Sequence, residues 1–128
     1  MVYLPSGDGK VAFLLRSEMA EIAANILTSE GHENEIYRIS SEKAYSYGDI
    51  ADMISEITGK DIKFVSPTVD EFVKTMQKAG VSEEMIGMSV GFAQAIQQGE
   101  FESVNPEISN LLGRKPVSMN DFLKQVYK

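Results

Sequence analysis

Helix starts recur along this chain, and they constrain its fold more than any other feature. Asp49 follows Ser46 by three residues, Glu71 follows Thr68 and Asp121 follows Ser118. At that spacing a hydroxyl can accept the backbone N–H of the third helical residue, while the acid can reach back to the cap's own N–H. Ser82 is a further cap, and Gly31, Gly59, Gly80 and Gly99 stand just past apolar stretches of helical period. Glycine suits that place because the residue after a helix often turns left-handed. This punctuation predicts helices over about Ser17–Thr28, from Ser46 to Gly59, from Thr68 to Gly80, from Ser82 to about Gln98, and from Ser118 onward. A short helical turn through Leu111-Leu112 ends at the break Gly113-Arg114-Lys115-Pro116.

The apolar residues assign each helix a buried face. They are Met19, Ile22, Ala23, Ile26 and Leu27 in the first helix, and Tyr47, Ile50, Ala51, Ile54 and Ile57 in the second. Val69, Phe72, Val73 and Met76 serve the third, and Met119, Phe122, Leu123, Val126 and Tyr127 the last. Three short segments read as strands. Val11–Leu15 is apolar and follows a Gly-Asp-Gly turn, Ile36–Ser40 alternates, and Ile62–Val65 closes at Ser66-Pro67. The order β-α-β-α-β-α-α-α is α/β in class, a mostly helical lobe with a small sheet of about three strands. So small a sheet in so helical a chain implies a lobe that packs on something else.

A chain of 128 residues fits one domain, 1–128, and 43% hydrophobic with 24% charged residues is ordinary for a globular protein. A net charge of -7 without a basic cluster argues against nucleic acid and against an anionic membrane surface. The longest apolar run, Val11–Leu15, cannot span a bilayer, and Met1-Val2-Tyr3 has no signal pattern. With no cysteine there is neither disulfide nor thiol chemistry, which suits a cytoplasmic setting.

Few residues invite a catalytic reading. Ser6-Gly7-Asp8-Gly9-Lys10 lacks the first glycine and the Ser/Thr of a phosphate loop, and a strand follows it; a tight turn is the better reading. No glycine-rich strand-to-helix turn of the kind that cradles a pyrophosphate occurs. No tyrosine has a lysine four residues later, so the proton-donating pair of short-chain dehydrogenases is missing. His32 stands alone in a polar stretch that reads as an exposed loop, which makes a zinc site improbable. Glu83-Glu84 open a helix and suit its positive end. Met85–Phe101 is the most suggestive stretch. Its Met85, Met88, Phe92 and Phe101 could be core, or could wall a pocket for flat apolar ligands. Gly87 and Gly91 in the same helix could serve close helix packing, or leave room for such a ligand.

Several segments together resemble NmrA-like atypical short-chain dehydrogenases/reductases, particularly their bacterial NAD(P)H:quinone oxidoreductase branch. They are Gly7–Phe13 running into Arg16–Ala20, Leu27-Thr28, Gly31–Asn34, Ile36-Tyr37, Tyr45–Ala51, Gly99-Glu100-Phe101 and Leu111–Pro116. Glu18 stands where the pattern usually has Asp. The resemblance implies the C-terminal part of an NAD(P)-binding Rossmann-type reductase, a helical lobe that roofs the nicotinamide and shapes the substrate pocket. The dinucleotide-binding Rossmann segment would then be absent, whether Met1 is a true start or a truncation. It further implies NADP or NAD in the full-length parent, no cofactor for this chain alone, and a small apolar or aromatic, quinone-like substrate. Met88, Phe92 and Phe101 are the expected substrate-binding residues. No catalytic residue carries over. A redox-sensing regulatory module without catalysis is the alternative, and a homodimer would cover an apolar face left open.

Overall fold

The computed structural model describes residues 1–127. Four two-residue strands and six helices follow one another along the chain. They are β1 (Val2–Tyr3), β2 (Lys10–Val11), α1 (Arg16–Leu27), β3 (Tyr45–Ser46), α2 (Tyr47–Thr58), β4 (Phe64–Val65), α3 (Val69–Lys78), α4 (Glu83–Gln97), α5 (Ile108–Leu112) and α6 (Met119–Val126). The strands form two separate pairs. β1 lies parallel to β4, with Val2 opposite Phe64, and β2 lies antiparallel to β3, with Lys10 opposite Ser46. The α/β reading therefore holds, but the strands are shorter than expected and do not join in one three-stranded sheet.

Caps place the helices as their chemistry requires. Ser46 and Thr68 each close a full capping box, with Asp49 and Glu71 as the reciprocal acceptors. The hydroxyls of Ser82 and Ser118 accept from the N–H groups of Met85 and Asp121. Gly59 and Gly113 take left-handed φ at the ends of α2 and α5. α1 and α5 have no side-chain cap; Leu15 precedes α1, which starts one residue earlier than expected.

α1 packs on α5 through Ile22, Ile108 and Leu112, with Leu14, Ile26 and Leu111 around them. α6 lies on α2, and α3 on α4. The expected stripes of α2 and α3 turn inward, whereas two other faces differ from expectation. Of the expected apolar face of α1 only Ile22 is buried and Ile26 half-buried, while Met19 and Ala23 are exposed and Leu27 is 85% exposed. The reason is that α5 is five residues long and covers a single stripe of α1. In α6 Phe122 and Leu123 turn inward, but Val126 and Tyr127, at the helix end, are exposed.

Ile36–Ser40 is not a strand. No neighbouring strand pairs with it among the described residues, and Ile36 is 97% exposed. Asn105 holds this stretch instead, donating its side-chain amide to the Arg38 carbonyl and its backbone N–H to that of Ser41. His32 is also more constrained than a loop residue. Its Nδ1 lies 2.6 Å from the Tyr37 hydroxyl and its Nε2 2.6 Å from Ser29 Oγ.

Candidate functional site

Three segments far apart in the chain enclose a cleft of about 470 Å3. Phe13–Arg16 forms one wall as it leads from β2 into α1. Ser41–Tyr45, ahead of β3, forms the second, and Lys115–Phe122, leading into α6, the third. The β2–β3 pairing sets Tyr45 opposite Val11 and so brings the first two walls together. Phe13 meets Tyr47 of α2 edge-on, ring centres 5.9 Å apart, which fixes the floor.

A buried carboxylate ties the third wall to the first. Glu18 is 1% exposed, in the first turn of α1. Its Oε2 accepts from Arg114 Nη1 at 2.7 Å, and its two oxygens accept the Val117 N–H at 3.2 and 3.1 Å. Arg114 also holds both oxygens of Glu21 through Nη2 at 3.1 Å. The hydrogen bonds it donates to Glu18 and then to Glu21 raise the Arg114 pKa further, so this guanidinium stays charged. Asn25, two turns after Glu18 on α1, donates to the carbonyls of Leu111 and Leu112. The segment Leu111–Val117, which leads into the cleft's third wall, is therefore set by side chains of α1. In the sequence Arg114 and Lys115 read only as part of the break before the last helix, and this clamp was missed. The available signal was that Glu18, Ile22 and Asn25 fall on one helical stripe, so the acid had to meet a donor once the stripe was buried.

Burial raises the pKa of Tyr47 above the ordinary tyrosine value, because desolvation penalises the phenolate. A group whose pKa is higher folded than unfolded stabilises the fold fully below its unfolded value and loses that contribution as pH rises through the folded one. Stability is thus expected to fall from about pH 10 upward. The decline should be shallower in Tyr47→Phe; urea midpoints between pH 8 and about pH 11 check this, and parallel curves for the two proteins would refute it.

The residues expected to bind substrate lie elsewhere. Met88 and Phe92 stand on the outer face of α4, and Phe101 follows that helix. They are 56, 53 and 40% exposed, so they are not core; the buried side of α4 is Ile86, Ala93 and Ile96. Phe92 and Phe101 come together, ring centres 6.2 Å apart, with Met88 one turn before Phe92. The Phe101 carbonyl accepts the Ala12 N–H at 2.9 Å, and with Val11, Met19 and Ile39 the Phe101 side chain edges a shallow recess. None of the three lines the cleft. Gly87 and Gly91 do not serve close packing: beyond the helix's own backbone nothing lies within 4 Å of where a Cβ would stand on either.

The Ser6–Lys10 segment is a turn, and its two glycines differ in role. Gly7 has φ +56 and donates its N–H to Ser66 Oγ at 2.9 Å. Gly9 is not left-handed; a Cβ there would lie 2.2 Å from the Ile96 carbonyl oxygen, so this glycine lets the turn touch the end of α4. Among the described residues no group of three or more His, Asp or Glu could hold a metal, and no helix is long and apolar enough to cross a membrane.

The α/β fold so defined is that of the C-terminal part of NAD(P)-binding reductases. It superimposes on the triphenylmethane reductase of Citrobacter sp. with a TM-score of 0.89 and 28% identity, over 97% of this chain and 43% of that one. On the NADPH-dependent quinone oxidoreductase QOR2 of Escherichia coli the score is 0.90 at 19% identity, over 98 and 46%. Among curated proteins, agroclavine dehydrogenase of Claviceps fusiformis is 25% identical over 122 residues, 95% of this chain and 42% of its own length. The NmrA-like family domain-containing oxidoreductase flvB of Aspergillus flavus is 27% identical over 124 residues, 93 and 40%. No family model matches the chain. Its homologues are thus oxidoreductases, NmrA-like among them, as the sequence resemblance implied, and it spans less than half the length of each of these relatives.

Proposed function

We propose that this chain is the substrate-side C-terminal part of an NAD(P)H-dependent oxidoreductase that acts on quinone-like small molecules. The observation that carries this reading is the fit of nearly the whole chain onto less than half of triphenylmethane reductase, a protein solved with NADP(H). Met88, Phe92 and Phe101 are the proposed wall on which a flat, apolar, electron-poor substrate lies. Their exposure, the adjacent rings of Phe92 and Phe101, and the open space beside Gly91 support that role.

The residues present do not fit a dinucleotide. Pyrophosphate needs free backbone N–H groups at a glycine-rich turn between strand and helix. At β3–α2, the one place among the described residues where a strand leads directly into a helix, Ser46 Oγ already takes the Asp49 N–H and the Asp49 carboxylate takes that of Ser46. In this reading NADP or NAD is held by residues of the longer parent, and hydride transfer is the cofactor's own chemistry. Titration of the 128-residue chain with NADPH, followed by calorimetry, is expected to give no saturable binding up to about 1 mM. Saturation at micromolar concentration would show that a nucleotide site exists within the chain and would overturn this account.

A further inference from the structure

We propose that the cleft between Phe13–Arg16, Ser41–Tyr45 and Lys115–Phe122 is a binding site for a small aromatic acid, its ring on the apolar floor and its carboxylate or sulfonate at a cationic rim. This site is separate from the Met88, Phe92 and Phe101 face and does not depend on the oxidoreductase reading.

The floor is supplied by Phe13, Leu14, Met119 and Phe122, and the volume of about 470 Å3 is that of a small-molecule pocket. The rim carries the specificity. Arg16, Lys43 and Lys115 all line the cleft, with Glu42 as the one acid. The protein as a whole has 12 Lys and Arg against 19 Asp and Glu, so three cations to one carboxylate reverses its overall charge balance. None of the three cations forms a salt bridge among the described residues; the ion pairs there involve Lys63 and Arg114. Lys43 Nζ instead rests 5.3 Å from the centre of the Tyr45 ring. Three cations against one acid at an apolar cavity, none of them in a salt bridge, favour an anion, and the low-dielectric wall beside them strengthens that attraction. A neutral ring would gain the floor alone. The walls are also held in place before any ligand arrives, by Glu18 on one side and the β2–β3 pair on the other, so binding costs little ordering.

The test uses the 128-residue chain with 2-naphthalenesulfonate and its neutral counterpart 2-naphthalenesulfonamide, read by calorimetry and by amide chemical shifts. The anion is expected to bind at least about fivefold tighter than the amide, and to weaken severalfold between about 0.05 and about 0.5 M NaCl. Lys43→Glu and Lys115→Glu should each weaken the anion about fivefold or more and leave the amide unchanged, with thermal unfolding as the control for folding. The shifted amides should include Phe13, Met119 and Phe122. Equal affinity for the two probes, indifference to both charge reversals, shifts gathered at Phe92 and Phe101, or no binding of either probe would each overturn the proposal.

Discussion

Replacing Glu18 by alanine is expected to lower the stability of the fold by about 2–3 kcal/mol, a fall in melting temperature of about 10 °C for a chain of this size. The carboxylate is fully out of water and accepts from both Arg114 and the Val117 N–H. Alanine leaves that N–H without its partner and opens a void at the foot of α1. Arg114 is half-exposed and can return to water, which keeps the loss below that of a wholly buried ion pair. Because Glu18 is shielded, the loss should be nearly the same at low and at high salt. Urea denaturation of the two proteins measures it. A change under about 0.5 kcal/mol, within the range of ordinary surface substitutions, would mean that the clamp does not hold the 114–117 segment.

Gly9→Ala is expected to cost about 3 kcal/mol, at the upper end for a single added methyl group. The new Cβ would meet the Ile96 carbonyl oxygen at 2.2 Å, its carbon at 2.6 Å and the Gln97 nitrogen at 2.9 Å. All three are backbone atoms at the end of α4, so no side chain can rotate away and the turn must separate from the helix. Gly87→Ala supplies a control of opposite sign. Its position is helical and exposed with nothing beside it, and alanine there should stabilise by roughly 0.5–1 kcal/mol through helix propensity alone. Thermal unfolding of both variants reads the contrast directly. Equal, small effects would refute the close approach assigned to Gly9.

Local chemistry was legible in the sequence and distant pairing was not. Ser46, Thr68, Ser82 and Ser118 announce their helices because a cap's partners lie within three residues. Gly59 and Gly113 are legible for the same reason. Ile36–Ser40 alternates as a strand would, yet a strand exists only where another chain segment completes its hydrogen bonds, and alternation cannot report that. Met19, Ala23 and Leu27 follow the helical period of α1, but how much of that face is covered depends on the length of α5, some eighty residues later. Gly9 reads as a turn residue, and its contact with Ile96 lies outside any local pattern. The cleft is the extreme case. Its walls come from three separate regions, and no motif links Phe13, Lys43 and Met119. The apolar set Met88, Phe92 and Phe101 was visible as composition, whereas its outward orientation became evident only with the helix in place.

The Glu18 tie has a reciprocal side. One carboxylate at the foot of α1 fixes where the chain enters α6, so the outer helix and the lining of the cavity share a single mechanical anchor. An occupant that binds better while that lining is held in place must, by thermodynamic linkage, also strengthen the anchor's grip on α1. Loosening α1 from its far end would in turn reduce the occupant's residence, although no atom of that end touches it.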